Sequence, residues 1–407
     1  MPDVDIAVAG GGPAGLQFAR EVATRSDRSV TLLEANEALT DNDKSSGGTF
    51  PELLSAFDLP DEVVMDSPSG VTYEAPGASA TLPVPCHVLD FPALLAFLGE
   101  EARAAGARVE TGARVSEPVV TNGRVTGVEY VREGERRRLT ADVVVDATGP
   151  AGTLVSELGL YDPGAAPLAV GKEFEVRGRH DLDSLLFAFD HDFAPGGYAW
   201  TFPAGEDVFK AGVCWFVEEF QSRASGGSID EYVQRWLAAD DRWEAAETRA
   251  VHAGKAGIDG SLNKRVTDGL VAVGVAVASI NPLLGEGIRP GMASARMAAD
   301  VVLDALAAGD VSGERLAAYE RRWNAEHGYH YHLQRLVGKF LYRFDADQQR
   351  RFVENSARLS RSQLDRFEAY EPTVRDLLDL YPLAPRDLGR IPAVLDFLVE
   401  RASARLG

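Results

Sequence analysis

The sequence predicts an α/β protein. Residues 4–34 read as strand, glycine turn, helix and strand; residues 142–147 are an apolar run ending in a tight turn; and a strand near 269–273 leads, through a glycine-rich loop, into a long helix rich in small residues. With 407 residues and 45% hydrophobic composition, the chain has room for two or three domains with packed cores.

The first unit, "VDIAVAGGGPAGLQFAREVATRSDRSVTLLEAN", predicts a strand over 4–9, a helix from about Pro13 to Ala23 and a second strand ending at Glu34. Gly10, Gly12 and Gly15 supply G-x-G-x-x-G. The first glycine permits the tight turn, the second lets backbone approach a pyrophosphate, and the third lets helix and strand pack closely. The helix N-terminus, opened by Pro13 and Ala14, turns its partial positive charge to the phosphates, and Glu34 stands where an acid accepts hydrogen bonds from ribose hydroxyls. Strand, triplet, helix, strand and acid in register point to a dinucleotide site. NAD and FAD share this unit, so it does not choose between them.

Later segments narrow the choice. The strand over 142–147 runs into Thr148-Gly149-Pro150, an exit that brings backbone near a bound cofactor. After the strand near 269–273 comes Gly274, then a loop with Asn281-Pro282 and Gly285-Glu286-Gly287, then the helix opening at Ile288. Its N-terminal amides suit the electron-rich edge of a flavin ring. Asn281 and Glu286 read equally as loop-structuring or as chemical groups. Between these segments "GGYAWTFPAG" sets Tyr198, Trp200 and Phe202 on one face of a strand that ends at Pro203. The face is a rigid apolar wall or plain core.

Taken in order, "GGGPAG", "DATGPAG", "GGYAWTFP" and "INPLLGEGI" resemble the geranylgeranyl reductases, FAD-dependent enzymes that saturate isoprenoid double bonds, and more distantly flavin monooxygenases and halogenases. The resemblance runs from residue 1 to about 345, and Tyr198, Trp200, Phe202 and Pro203 meet the "YxWxFP" signature of the archaeal reductases. It implies a Rossmann-like FAD domain (1–75, 85–160 and 255–310) interleaved with a mostly antiparallel substrate domain (76–84 and 161–254), then a helical region over 311–407. It also implies a tunnel that lays a prenyl chain across the flavin. The cofactor contacts it suggests are Gly10, Gly12, Pro13, Ala14, Gly15, Glu34, Gly149, Gly274, Pro282, Gly285, Gly287 and Ile288. The catalytic face would be Tyr198, Trp200 and Phe202, with Ser46, Tyr198 and Glu286 as candidate proton donors.

Three departures from that family stand out. Gly274-Val275 replaces a Gly-Asp pair whose carboxylate bonds the ribityl chain. Leu89-Asp90-Phe91 lacks an expected arginine, which leaves His87 or Arg20 to meet phosphate charge. Ser46, before Gly47-Gly48, stands in the loop where many reductases carry cysteine. An unpaired ribityl hydroxyl would cost about 1–3 kcal/mol, so weak FAD retention is expected.

No second dinucleotide fingerprint is present, so electrons are expected from NADPH docking transiently or from a ferredoxin-like donor. The alternatives are a monooxygenase or halogenase acting on an apolar substrate, and a non-catalytic isoprenoid-binding flavoprotein. Halogenases resembling this group place a working lysine near the substrate, and none of the few lysines here stands in an obvious position for it.

Charge and composition bound the partners. Lys and Arg number 41 against 62 Asp and Glu, a formal charge of −21, which argues against nucleic acid. Lysine is confined to Lys44, Lys172, Lys210, Lys255, Lys264 and Lys339. This surplus of carboxylates suits hydration in high salt, or ordinary acidic solubility. Cys86 and Cys214 form no metal spacing and favour a reduced, cytoplasmic compartment, with Cys214 a small buried hydrophobe. The N-terminus does not read as a signal peptide, and no run of about 20 apolar residues would span a membrane.

In the last third, Tyr329, Leu333, Leu336, Val337, Phe340, Leu341 and Phe344 form a helical apolar stripe beside a basic row, Arg335, Lys339 and Arg343. The helix either packs on the core or rests peripherally on anionic lipid at the inner membrane face. His327, His330 and His332 lack the partners of a metal site, and no metal is expected. Oligomeric state is not legible.

Overall fold

The computed structural model describes residues 2–161, 168–223, 226–257, 265–277, 280, 281, 283, 285–369 and 371–380. The apolar runs found in the sequence make the centre of an eight-stranded sheet. Val4–Ala9 lies between Val30–Leu33 and Glu135–Asp146, all parallel, with Arg108–Glu110 beyond the first and Leu270–Ala272 beyond the second. Strands buried on both faces read as unbroken apolar runs, which is why these were legible.

Helix Pro13–Arg25 begins with Pro13 in its first turn and buries Leu16, Phe18, Ala19 and Val22. It packs beside Phe91–Ala104, capped by Asp90, and beside Ile288–Ala308, whose alanines allow close approach. With Val143, Val145, Ala295 and Val302 they form one core. The other face of the sheet is covered by Thr153–Glu157 and by a meander. That meander explains one difference in length: the strand expected over 142–147 spans Glu135–Asp146, because its first half pairs antiparallel with Arg124–Arg132.

A seven-stranded sheet stands beside this layer, ordered Trp243–Gly257, Leu168–His180, Val208–Phe216, Gly197–Pro203, Ser184–Ala188, Gly70–Ala75 and Ala78–Leu82. Every neighbouring pair is antiparallel except Ser184–Ala188 with Gly70–Ala75. Strand Gly70–Ala75 therefore belongs to this sheet, although the sequence assigns it to the nucleotide-binding part. One face carries Phe209, Val213 and Trp215 against helix Ile229–Leu237, which has a Ser228–Glu231 capping box. The opposite face carries Tyr73, Phe187, Tyr198, Trp200 and Phe202.

C-terminal helices close over that second face. The helix expected under the apolar stripe runs Tyr329–Leu341, and it follows Ala318–Trp323 through a π-turn at Asn324–Gly328. Leu333, Leu341 and Phe344 are buried with Phe352 and Val353, as a packed helix requires. The side chains of Leu336, Val337, Lys339 and Phe340 lie outside the described residues. Arg343, one of the basic row, is ion-paired to Glu219 at 2.6 Å, and its carbonyl accepts from Arg223. Among the described residues, no helix is long and apolar enough to cross a membrane.

Candidate active site

The glycine loop has the geometry its sequence demands. Gly10 sits at φ +108°, and a Cβ there would come within 2.3 Å of the Ala147 carbonyl oxygen. A Cβ on Gly15 would lie 2.0 Å from the Gly10 oxygen, so only glycine lets helix and loop meet. Gly12 caps the helix with no side-chain partner for the first amides, and the space beside its Cα is open for 4 Å. A cradle of unpartnered amides next to open space fits a pyrophosphate.

Glu34 lies beside it, buried, with Oε2 accepting from the Gly11 amide at 2.6 Å and Oε1 accepting from the Asn36 amide at 2.8 Å. Its carboxylate shapes the loop as well as standing where a ribose would bind. Ala14, Gly274 and Gly291 converge: a Cβ on Gly274 would touch that of Ala14 at 2.8 Å, and one on Gly291 would come 3.8 Å from it. The Gly274 amide donates to Ser294 Oγ at 2.9 Å, which fixes the turn Gly274–Val277 on helix Ile288–Ala308. Gly149, at φ +65°, lies in the turn after Asp146, whose buried carboxylate accepts from Thr148, Leu154 and Val155. Gly287 caps the long helix, again without a side-chain partner, and Ile288 is its first residue. These residues fit a dinucleotide lying from the glycine loop to that second helix N-terminus. Pro282 lies outside the described residues.

Neither basic residue proposed for the phosphates is available. Arg20 lies two turns into its helix, donates to the Phe57 carbonyl at 2.8 Å and stacks on Phe97. His87 is hydrogen-bonded to Ser67 at 2.9 Å on the strand that pairs with Gly48–Thr49. The N-terminus of helix Pro13–Arg25 offers the phosphates its first-turn amides. Val275 lies close to Gly287, with Cγ2 3.6 Å from where a Gly287 Cβ would stand, so the position of the missing carboxylate is an apolar contact.

Beyond the second helix N-terminus opens a cavity of about 200 Å³. All five catalytic candidates, Ser46, Tyr198, Trp200, Phe202 and Glu286, line it, together with Gly285. One wall is the aromatic face of the seven-stranded sheet. Tyr73, Phe187, Trp200, Gly212 and Glu173 follow one another across five strands in a single row. Phe187 packs edge-on against both Tyr198 and Phe202, at 5.6 and 5.2 Å between ring centroids. The far wall comes from the C-terminal helices, through Tyr342, Phe352, Leu364 and Leu380.

Few polar groups reach this cavity. Tyr198 directs its hydroxyl toward the loop, where a Cβ on Gly285 would meet it at 2.9 Å. Burial raises the Tyr198 phenol well above its ordinary range and pushes the Cys214 thiol to about 12, so both stay protonated. That removes Cys214 as a thiolate nucleophile. Glu286 is half-buried, its open side turned to the cavity; its Oε1 accepts from Thr49 Oγ1 at 3.1 Å. Burial raises its carboxyl to about 7, against the opposing charge of Arg289. A group titrating there holds a proton near neutrality on the cavity wall. Glu368, a second buried carboxyl, also lines the cavity, and burial raises its pKa as well, against the opposing charge of Arg361.

Sequence reasoning missed Thr49, Phe187 and the C-terminal aromatics. The alternation in "LLFAFD", which gives Phe187 and Phe189, is the signal that could have found the second aromatic strand. Among the described residues, a grouping that could hold a metal ion occurs at Asp43, Glu175 and His252, beside the sheet edge.

Comparison with known proteins follows this geometry. A family model for the geranylgeranyl reductase catalytic domain matches residues 170–258, and one for FAD dependent oxidoreductases matches 5–159. The chain is 36% identical over 378 residues to the digeranylgeranylglycerophospholipid reductase of Haloferax volcanii, covering 89% of this chain and 91% of that protein. It is 28% identical to digeranylgeranylglycerophospholipid reductase 1 of Methanopyrus kandleri, over 84% and 92%. Among solved structures, a geranylgeranyl bacteriochlorophyll reductase-like protein from Thermoplasma acidophilum superposes with a TM-score of 0.83 at 19% identity, covering 97% of this chain and 99% of that one. The flavin-dependent brominase Bmp2 superposes at 0.70 with 15% identity, covering 99% of each. At such identities, these two likenesses bear on the fold alone.

Proposed function

The chain belongs to the geranylgeranyl reductase family of FAD-dependent oxidoreductases, and from that premise we propose that it saturates the isoprenoid double bonds of a digeranylgeranylglycerophospholipid-type lipid. The observation that carries the proposal is the meeting of an aromatic-walled cavity with the Gly285-Glu286-Gly287 loop at the N-terminus of helix Ile288–Ala308. In its reduced form, FAD held from the glycine loop to that helix would supply the hydride for one alkene carbon. The rest falls to the protein.

Tyr198, Trp200 and Phe202 hold the prenyl chain flat and exclude water, and most of the rate follows from that positioning. Glu286 gives the proton to the second alkene carbon. Its carboxyl faces the cavity, Thr49 orients it, and it carries a proton near neutral pH. Tyr198 has the wrong chemistry for this step because burial makes its proton harder to release. Ser46 also lines the cavity. NADPH or a ferredoxin-like protein supplies the electrons.

The halogenase reading has the fold in its favour and little else. Among the described residues, no lysine lines the cavity, and the brominase shares 15% identity against 36% for the reductase of Haloferax volcanii.

The test is direct. FAD-loaded protein, reduced with dithionite under argon, is incubated with digeranylgeranylglycerophospholipid, and the product is weighed by mass spectrometry. A gain of one hydrogen pair per double bond is expected. An unchanged lipid, with flavin bound and bleached, rules the proposal out.

A further inference from the structure

Trp200 is the centre of the aromatic wall, and it is held from behind. Its indole Nε1 donates to Glu173 Oε2 at 2.8 Å, and both residues are buried, Glu173 with 4% of its surface exposed. Glu173 stands two strands away in the same cross-strand row, separated from Trp200 by Gly212. A Cβ on Gly212 would lie 2.3 Å from Trp200 Cζ2, so the indole lies over the bare backbone to reach its partner. A Cβ on Gly171, on the strand that carries Glu173, would stand 3.7 Å from Cη2 at the end of the ring.

A buried carboxylate behind an apolar wall is costly and needs a reason. Glu173 Oε1 has no hydrogen-bond partner, so the indole is the one hydrogen-bonded contact of this carboxyl among the described residues. Lys210, also buried, supplies compensating charge and donates to the Ser45 carbonyl at 3.3 Å, next to cavity-lining Ser46. Two sides of the cavity thus hang from neighbouring buried charges.

We propose that Glu173 is a positioning residue for prenyl binding: by fixing the Trp200 indole over Gly212, it sets the shape of the wall against which the isoprenoid chain lies. This rests on the function proposed above for its ligand class, and not on turnover. The simpler role, satisfying a buried indole N–H for stability alone, makes a different prediction.

Affinity separates the two. Binding of geranylgeraniol to the FAD-loaded full-length chain is measured by equilibrium dialysis for wild type, Glu173→Gln, Glu173→Leu, Trp200→Phe and the Trp200→Phe/Glu173→Leu pair. Glu173→Gln keeps an acceptor for the indole and is expected to bind as wild type does. Glu173→Leu frees the ring and is expected to weaken binding by about tenfold, the worth of one buried hydrogen bond. In the Trp200→Phe background the same change is expected to do nothing further, because no indole is left to hold.

Equal affinity for wild type and Glu173→Leu overturns the inference, and so does an unchanged tenfold loss in the Trp200→Phe background. Because Glu173→Leu strands a buried Lys210, the pair Glu173→Leu/Lys210→Met is carried alongside; if it folds and binds as wild type does, the inference also fails. Lipid reduction is followed in parallel. A wild type that binds geranylgeraniol but reduces nothing refutes the proposed reaction and leaves the positioning role to stand or fall on affinity. A wild type that binds no prenyl alcohol but reduces the lipid refutes the positioning role and leaves the reaction standing, and one that does neither refutes both.

Discussion

Thr49 donates its hydroxyl hydrogen to Glu286 Oε1 at 3.1 Å, tying the short strand Gly48–Thr49 to the loop that opens helix Ile288–Ala308. With burial raising the carboxyl to about 7, Glu286 is protonated below that pH and ionised above it. A proton donor must be in its acid form, so turnover of the reduced enzyme is expected to fall as pH rises through about 7. Glu286→Gln keeps the shape and the bond from Thr49 but has no acidic proton. It should lower kcat by about 100-fold or more and abolish that pH limb. Tyr198→Phe should keep most of the rate. The reverse outcome, a dead Tyr198→Phe and an active Glu286→Gln, would transfer the role to Tyr198.

Val275, at the position where the sequence resemblance implies an acid for the ribityl chain, has its side chain close to Gly287. Restoring a hydrogen-bonding group there, Val275→Asp, is expected to tighten FAD by about tenfold, the worth of one recovered bond to a charged acceptor. Flavin absorbance retained through gel filtration measures it. Equal retention by both proteins would mean that another group already satisfies the ribityl hydroxyls.

The parts legible in the sequence were those set by local pattern. Gly10, Gly12, Gly15 and Glu34 were readable because the glycine turn and the acid recur at fixed spacing within one βαβ unit. The face shared by Tyr198, Trp200 and Phe202 followed from period-two alternation. Glu173 was not legible: it lies 27 residues from Trp200 in the unremarkable run "GKEFEV", and only cross-strand register places it behind the indole. Arg20 misled for a related reason. It lies on the right helix, but two turns along the axis carry it away from the phosphates, onto Phe57 and Phe97.

The charge of −21 makes a sign prediction about salt. Repulsion among surplus carboxylates opposes folding, whereas surface pairs such as Arg25–Asp300 and Arg322–Asp300 favour it. Each exposed pair is worth about 0–1 kcal/mol, and salt screens both effects. With the excess so one-sided, relief of repulsion should win. The unfolding temperature is expected to rise by about 5 °C or more between roughly 0.1 M and 2 M potassium chloride. A flat or falling melting curve would show that the pairs dominate and that the acidity is ordinary solubility.

Asp376 anchors the last described helix, Val374–Leu380, which brings Leu380 to the cavity wall. Its carboxylate accepts from Arg366 Nε and Nη2 at 2.7 and 2.6 Å, and from the Thr373 amide and hydroxyl at 2.8 and 2.7 Å. The Arg366 bonds are the leading reason its pKa lies far below the ordinary aspartate range. A depressed carboxyl stabilises the fold above its unfolded pKa of about 3.9, and that contribution is lost as pH falls toward the folded value. Asp376→Asn is therefore expected to cost about 1–3 kcal/mol in urea melts at neutral pH. The gap to wild type should narrow once the pH drops below about 4. The same variant should weaken prenyl binding, because the helix bearing Leu380 loses its tie to Arg361–Glu368. A stability gap of equal size at both pH values would assign the loss to packing and remove the ion pair from the account of how that wall is held.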